Sequence, residues 1–259
     1  MFVSPLSKSS SIKTILYTAW FCPYAQRAEI ALSLASITYQ RVESLSFAPG
    51  SNYNQYVKID ELLEANPKGL VPVIVQSHPE GHKNSPKTIV CDSIDCLKAI
   101  YANPIHDEPL YQDIVHWNKN LCSKLYSILL AQDPVKSEAE FHAMCCELDR
   151  FASHLSISED GIVSFYNNGK DPGIVDVAVY PFIFRLFVIH HYKGFTYQGP
   201  GAKTVQQWQR RMEDLPAVRK TLDNIPRDEL IRVYAPYAEG TAKSSVADSV
   251  RRGNHAHDV

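Results

Sequence analysis

The stretch TAWFCPYAQRAEIALSLA, residues 18–35, places a cysteine where its thiol could do chemistry. A short β-branched run precedes Cys22, and apolar residues at helical spacing follow Pro23. Because proline is favoured at the first position of a helix, Cys22 is predicted to be the N-cap. Its sulfur would then lie near the free N–H groups of Tyr24 and Ala25, at the positive end of the helix dipole. The sequence therefore predicts a nucleophilic cysteine whose pKa is below that of a free thiol.

The alternative for Cys22 is a small buried hydrophobic residue, which is how a free cysteine commonly behaves. The strand, Cys-Pro and helix in succession favour the nucleophile. Ala25 stands where a second cysteine of the turn would be, so an external thiol must complete any disulfide chemistry. The six cysteines contain no C-x-x-C pair, and together with the ten histidines they show no metal-ligand spacing. We therefore expect neither structural disulfides nor a metal site.

The first hundred residues predict the order βαβ followed by ββα. Alternating or β-branched runs indicate the strands, and apolar residues at helical spacing indicate the helices. This order is typical of a thioredoxin-like α/β domain, which we assign to residues 1–102. The strands are predicted at 12–18, 37–44, 70–75 and 87–92, and the main helices at 23–35 and 93–102.

The segment NPIHDEP, residues 103–109, contains two prolines and is predicted to be a linker. From residue 110 to 259 no convincing pair of strands follows, which predicts an all-α second domain. Its longest apolar run, 174–189, is interrupted by Asp176, Pro181 and Arg185 and is too short to span a membrane, so it is predicted to be a buried core helix. Asp176, three residues after Gly173, is predicted to cap that helix and to have a folding role.

Composition limits the partners. The 259 residues are 45% hydrophobic and 21% charged, with a net charge of −2, as expected for a soluble protein of two domains. This charge gives no support for nucleic acid or an anionic membrane as a partner. The N-terminal residues lack the apolar core of a secretory signal, so we expect a cytoplasmic protein.

Several motifs, taken in order, resemble those of one family. WFCPYAQRAEIAL, NPKGLVPVIV and CDSIDCLKAI are similar to the N-terminal domain of omega-class glutathione transferases, and DVAVYPFIFR is similar to the sixth helix of that family. The tail YAEGTAKSSVADSVRRG resembles, more weakly, the C-terminal helix of fungal omega-like members. The resemblance covers nearly the whole chain and implies glutathione as co-substrate, a homodimer and a role in detoxification.

The resemblance also implies a glutathione site. Pro72 corresponds to a cis proline, which would leave the backbone of Val71 free to pair with the cysteinyl part of glutathione. Asp92 and Ser93 correspond to the residues that bind the γ-glutamyl group, although omega members usually carry Glu where this chain has Asp92. Tyr24 would also contact glutathione, where the family usually has Phe.

The glycine carboxylate of glutathione has two candidate partners. Lys58 lies thirteen residues before Val71, as does the family's lysine, but it could instead be a solvated residue at a helix edge. Lys68 is the rival. Trp117 and Tyr126 fall on the first helix of the second domain, which by resemblance faces the cysteine, and either could line the second-substrate pocket or pack in the core.

The resemblance implies a glutathione-dependent thiol transferase or reductase with Cys22 as its nucleophile. Its reactions would be deglutathionylation, dehydroascorbate reduction and reductive cleavage of glutathione conjugates of small electrophiles. The alternative is a non-catalytic binding or signalling protein, similar to the intracellular chloride-channel-like proteins. The near-complete glutathione site favours the enzyme.

Overall fold

The computed structural model describes residues 5–7, 9, 11–78, 87–101 and 108–256. The N-terminal domain contains strand β1 (Lys13–Thr18), helix α1 (Pro23–Leu34), strands β2 (Gln40–Glu43), β3 (Leu45–Phe47) and β4 (Tyr56–Lys58), helix α2 (Asp60–Ala65), strands β5 (Val73–Ser77) and β6 (Thr88–Cys91), and helix α3 (Ser93–Tyr101).

Four of these strands form a mixed sheet in the order β2-β1-β5-β6. Strand β1 pairs in parallel with β2, with Ile15 opposite Gln40, and antiparallel with β5, with Ile15 opposite Val75. Strand β6 pairs antiparallel with β5. Helices α1 and α3 pack against each other, with Ile30, Leu97 and Ile100 in the same core. The predicted thioredoxin-like α/β fold is confirmed.

One feature of this domain was not predicted. Strands β3 and β4 form a separate two-stranded antiparallel sheet between the strands predicted at 37–44 and 70–75. Each strand has only three residues, too few for an alternating pattern to be recognised. Helix α2 begins after this sheet, at Asp60.

The remainder of the described chain is helical, as predicted. It contains α4 (Glu108–Trp117), a π-helical turn (Asn118–Cys122), α5 (Lys124–Leu130), α6 (Pro134–Ser153), a 3-10 turn (Tyr166–Asn168), α7 (Ile174–Ile183), α8 (Leu186–Lys193), α9 (Ala202–Glu213), α10 (Pro216–Leu222), α11 (Arg227–Ala238) and α12 (Ser245–Arg251).

Three predictions for this region need correction. Trp117 and Tyr126, expected on one helix, lie on α4 and α5, which the π-helical turn separates. Residues 103–107 of the predicted linker lie outside the described residues, whereas Glu108 and Pro109 already belong to α4. Helix α11 was not predicted, because Pro236 interrupts its pattern near the C-terminal end.

The segment Ile174–Lys193 has the length and the mean hydropathy, 1.5, of a membrane span, but 72% of it is buried inside the protein. It consists of α7 and α8, which are separated at Phe184 and Arg185. This agrees with the predicted core helix. Asp176, fully buried, accepts hydrogen bonds from the N–H groups of Gly173 and Tyr166 and from Nε1–H of Trp208. Its role is therefore the structural one expected from the sequence.

Candidate active site

A cavity of about 1530 Å³ is lined by the N-terminus of α1, the loop before β5, the N-terminus of α3, helices α5 and α11, and the C-terminal segment. The structure brings nearly all the residues predicted for the site to its wall. These are Cys22, Tyr24, Lys58, Lys68, Val71, Pro72, Asp92, Ser93 and Tyr126. Residues of all three N-terminal motifs therefore share one surface.

Cys22 is the N-cap of α1, as predicted, and its backbone has extended dihedral angles there. The thiol makes no capping hydrogen bond. Burial raises the pKa of Cys22, and the backbone N–H groups of Ala25 and Tyr24 and the guanidinium groups of Arg185 and Arg27 only partly offset it. The predicted lowering of the pKa is therefore wrong for the ligand-free protein. The helix terminus acts in the expected direction, but the apolar surroundings have the larger effect.

The peptide bond between Val71 and Pro72 is cis, as the resemblance implies. Val71 lies two residues before the start of β5 and outside its register with β1 and β6. It lines the cavity together with Pro72. The backbone of Val71 is therefore placed beside the space that an extended peptide would occupy.

Asp92 and Ser93 form the junction between β6 and α3. Asp92 has a φ of 75°, in the left-handed region that Asp tolerates better than most residues, and its Oδ1 accepts a 2.7 Å hydrogen bond from the N–H of Ile94. One carboxylate oxygen thus caps the helix. Ser93 is buried, and its Oγ accepts a hydrogen bond of 3.1 Å from Arg27 Nη1.

Lys58 and Lys68 are held close to each other. Lys58 Nζ donates a 3.0 Å hydrogen bond to the backbone oxygen of Lys68. The lysine side chain crosses Gly69, whose φ is 61° and where an added Cβ would lie 2.5 Å from Lys58 Cδ. Glycine is therefore required here both by its backbone conformation and by the close approach of Lys58. Lys58 is therefore an exposed cation at the cavity wall, with its side chain directed along Gly69 and Lys68.

Sequence reasoning did not identify the aromatic wall opposite Cys22. Tyr126, which it did identify, stacks on Tyr24 with ring centroids 6.4 Å apart and contacts Tyr234 and Tyr237 of α11 at 6.2 and 5.4 Å. The hydroxyl groups of Tyr24 and Tyr234 are buried without a hydrogen bond to any described residue. Burial raises the pKa of each phenol, that of Tyr234 to about 12. The spacing of Tyr234 and Tyr237 would have placed them on one face, had the helix itself been predicted.

Trp117 does not belong to the site. It is 1% exposed, does not line the cavity, and donates a 3.0 Å hydrogen bond from Nε1 to the hydroxyl of Tyr166. Its ring packs edge-on against Phe151. Trp117 is therefore a core residue of the helical domain, and its predicted place in the second-substrate pocket is wrong. Tyr126, the other candidate for that pocket, does line the cavity.

Within the described part of the chain, no group of three or more His, Cys, Asp or Glu side chains could hold a metal ion. The six cysteines are free. Cys96 and Cys122 are buried in the core, and Cys146 is exposed on α6.

Comparison with protein families accounts for this arrangement. A family model described as the glutathione S-transferase N-terminal domain matches residues 21–103. The matched range includes the Cys-Pro turn, the cis proline and the start of α3.

Two kinds of relative support the same assignment for the longer chain. A probable glutathione transferase omega-2 from Caenorhabditis elegans is 27% identical over 228 residues, which cover 80% of this chain and 79% of the relative. The structure of glutathione transferase Omega 3C from Trametes versicolor is similar, with a TM-score of 0.65 and 23% identity, covering 90% of this chain and 93% of the other. The resemblance to omega-class glutathione transferases is confirmed, and glutathione transferase function is supported in general.

A third neighbour was solved with the ligand. Ure2p in complex with glutathione has a TM-score of 0.60 and 17% identity, and the match covers 82% of this chain and all of Ure2p. At this identity the similarity shows the fold alone.

Proposed function

We propose that the protein is a glutathione-dependent thiol transferase in which Cys22 is the nucleophile. The observation that carries this proposal is the position of Cys22, which caps α1 in the wall of the cavity also lined by Val71, Asp92 and Ser93. The general transferase function of the relatives and the glutathione bound to Ure2p support the same ligand.

Glutathione would lie along the N-terminal domain. The backbone of Val71 would pair with its cysteinyl residue, and Ser93, with its hydroxyl and its backbone N–H at the start of α3, would bind the γ-glutamyl carboxylate. The carboxylate oxygen of Asp92 that does not cap α3 would accept from the γ-glutamyl ammonium group. Lys58, or its neighbour Lys68, would bind the glycine carboxylate.

The reaction has two steps. The Cys22 thiolate attacks the glutathionyl sulfur of a mixed disulfide, the S–S bond breaks, and the substrate leaves as a thiolate that takes up a proton. A second glutathione thiolate then attacks the glutathionyl sulfur on Cys22. Oxidised glutathione leaves, and the Cys22 thiolate is restored. Dehydroascorbate reduction and cleavage of conjugates would use the same cysteine.

The decisive experiment is Cys22→Ser. Because an alcohol cannot form the mixed disulfide, this variant should lose thiol transfer while it still binds glutathione, as measured by calorimetry. Cys146→Ser, which removes an exposed thiol outside the cavity, is the matched control and should keep full activity. Substantial reduction of a glutathionyl disulfide by Cys22→Ser would show that another group is the nucleophile. If neither the unmodified protein nor Cys146→Ser reduces any glutathionyl disulfide, the alternative of a non-catalytic binding protein would be favoured.

The choice of cysteine also predicts a substrate profile. When a glutathionyl disulfide binds, Cys22 can take over its glutathionyl group and release the partner thiol, whereas a hydroxyl could only stabilise the glutathione thiolate for conjugation. The protein should therefore reduce glutathionyl disulfides readily and conjugate a chlorinated nitroaromatic poorly, and Cys22→Ser should shift the balance toward conjugation. The opposite ranking in the unmodified protein would contradict the role of Cys22.

A further inference from the structure

Arg185 lies in the break between α7 and α8 and is completely buried. Its Nη1 donates to Gln26 Oε1 at 2.8 Å and to the backbone oxygen of Pro181 at 2.6 Å. Its Nη2 donates to the backbone oxygen of Phe21 at 3.2 Å, and its Nε has no hydrogen-bond partner among the described residues. The acceptors of this guanidinium group are all neutral.

A buried arginine without a carboxylate is unusual, because a charge removed from water is normally paired. Within the described ranges no Asp or Glu forms an ion pair with Arg185. Arg41 shows the ordinary arrangement, since it pairs with Glu29 and Glu43. An uncharged side chain with N–H groups could donate to the same acceptors. The need for hydrogen-bond donors therefore does not explain why the residue at this position is charged.

The charge lies next to the candidate nucleophile. Phe21, which Arg185 holds by its backbone oxygen, immediately precedes Cys22, and Gln26 lies one turn further along α1. The other buried cation near the sulfur is Arg27, whose acceptors are Ala178 O, Ser93 Oγ and Asn118 Oδ1, again all neutral.

The remaining titratable groups around Cys22 are neutral phenols or lie along the glutathione cleft. The phenols that interact electrostatically with the thiol are Tyr24, Tyr56, Tyr126, Tyr234 and Tyr237. The charged side chains of the cavity wall are Lys58, Lys68, Asp92 and Lys243. Burial keeps the phenols protonated near neutral pH, so the cations that act electrostatically on the thiol are the two arginines.

We infer that Arg185 is a positioning residue whose unneutralised charge stabilises the Cys22 thiolate. It holds the backbone that leads into the N-cap, and its positive charge lies beside that turn. When glutathione resolves the mixed disulfide, the electron pair of the broken S–S bond returns to Cys22 as thiolate, and this is the charge that Arg185 favours. The inference rests on the proposed role of Cys22, but its test does not require turnover.

The first test is Arg185→Gln, read by the pH dependence of Cys22 alkylation in the ligand-free protein. Iodoacetamide modification of the Cys22 peptide would be followed by mass spectrometry. Loss of the charge should raise the pKa of Cys22 further and slow the reaction about tenfold at a pH below the midpoint. The rate at high pH should be unchanged. Arg211→Gln, which also removes donors to two backbone oxygens, is the control and should leave the profile unchanged.

The second test keeps Arg185 but pairs its positive charge with a new carboxylate. Gln26→Glu places a carboxylate at the 2.8 Å contact with Nη1, where the guanidinium group favours its ionised form. The pKa of Cys22 should again rise. Gln209→Glu, a carboxylate added on α9, is the matched control. This variant decides the question if Arg185→Gln does not fold.

An unchanged alkylation profile in folded Arg185→Gln would overturn the inference, and so would an unchanged profile in Gln26→Glu if Arg185→Gln does not fold. A shifted profile together with persistent thiol transfer in Cys22→Ser would instead support the electrostatic role and refute the proposed function. The two failures are therefore distinguishable.

Discussion

Cys22 illustrates how two opposing effects act on a single residue. The helix terminus and the two buried arginines favour the thiolate, whereas removal from water favours the thiol. Burial is the larger effect in the ligand-free protein, so the site holds a mostly protonated thiol until substrate or a higher pH changes the balance. The reactivity of Cys22 is therefore a property of its surroundings as much as of the Cys-Pro turn.

The first prediction concerns thiol reactivity. Because its pKa is raised, Cys22 should react with iodoacetamide at a rate that rises with pH through a midpoint above the usual thiol value of about 8.5. Cys122, fully buried and with its pKa raised to about 11, should remain unmodified in the folded protein. Mass spectrometry of the separate peptides measures both.

The control for this measurement is Cys146, which is exposed and lies outside the cavity. Saturating glutathione should slow alkylation of Cys22 and leave that of Cys146 unchanged. Equal protection of both thiols, or protection of neither, would show that glutathione does not occupy the cavity beside Cys22.

A second prediction separates the role of Asp92 as a helix cap from its proposed role in binding glutathione. Asn is also a good N-cap, so Asp92→Asn should keep the stability of the protein within about 0.5 kcal/mol while it removes the negative charge. Loss of the charge-assisted hydrogen bond should raise the KM for glutathione about tenfold. Asp92→Ala should show the same KM effect and lose about 1 kcal/mol of stability. A KM that is unchanged in Asp92→Asn would remove this carboxylate from the glutathione site.

Two kinds of helix cap operate at the scale of elements. Asp133 caps α6 at the surface with a single hydrogen bond to the N–H of Val135. Asp176 caps α7 in the interior, where it also binds Trp208 of α9 and the N–H of Tyr166. The second carboxylate therefore joins a helix start to its neighbours, and its removal affects more than one element.

We accordingly predict a large difference between two alanine variants. Asp176→Ala leaves the buried N–H donors of Tyr166 and Trp208 without an acceptor and removes the cap on Gly173. It should lower the free energy of unfolding by roughly 3 kcal/mol, since each orphaned buried donor costs roughly 1–3 kcal/mol. Asp133→Ala should lower it by about 1 kcal/mol. Urea denaturation followed by tryptophan fluorescence measures both, and equal losses would contradict the interior role of Asp176.

At the scale of the whole molecule, Arg27 connects the two domains. From α1 it donates to Ser93 of α3, to Asn118 of the π-helical turn and to Ala178 of α7, and it stacks over the rings of Tyr24 and Phe182. A guanidinium group only donates, so Ser93 Oγ is the acceptor of this bond and its own O–H remains available to a ligand. The domain interface thus orients a residue of the proposed glutathione site.

Arg27→Met should therefore affect both stability and binding. It removes three buried hydrogen bonds, which should lower the free energy of unfolding by about 3 kcal/mol, and it should raise the KM for glutathione several-fold through Ser93. Ser93→Ala, which removes the hydroxyl alone, should raise KM to a similar extent with much less loss of stability. If Ser93→Ala leaves KM unchanged, the orienting effect of Arg27 on glutathione binding is refuted.

Much of the N-terminal domain could be predicted from the sequence because its signals are local. The position of Cys22 as N-cap depends on a strand, a proline and a helix that are contiguous in the chain, and the order of strands follows from short alternating runs. The candidate glutathione residues Val71, Asp92 and Ser93 were found by their motifs, and the structure places them around one cavity.

Features that depend on contacts between distant segments were decided by the tertiary structure. The pKa of Cys22 has the opposite direction from that predicted, because the rings that exclude water come from α5 and α11, more than a hundred residues away. Trp117 and Tyr126 lie on adjoining helical segments with similar patterns, and only the packing of those helices sends one to the core and the other to the cavity. Periodicity reports which face of a helix is apolar, but not what covers it.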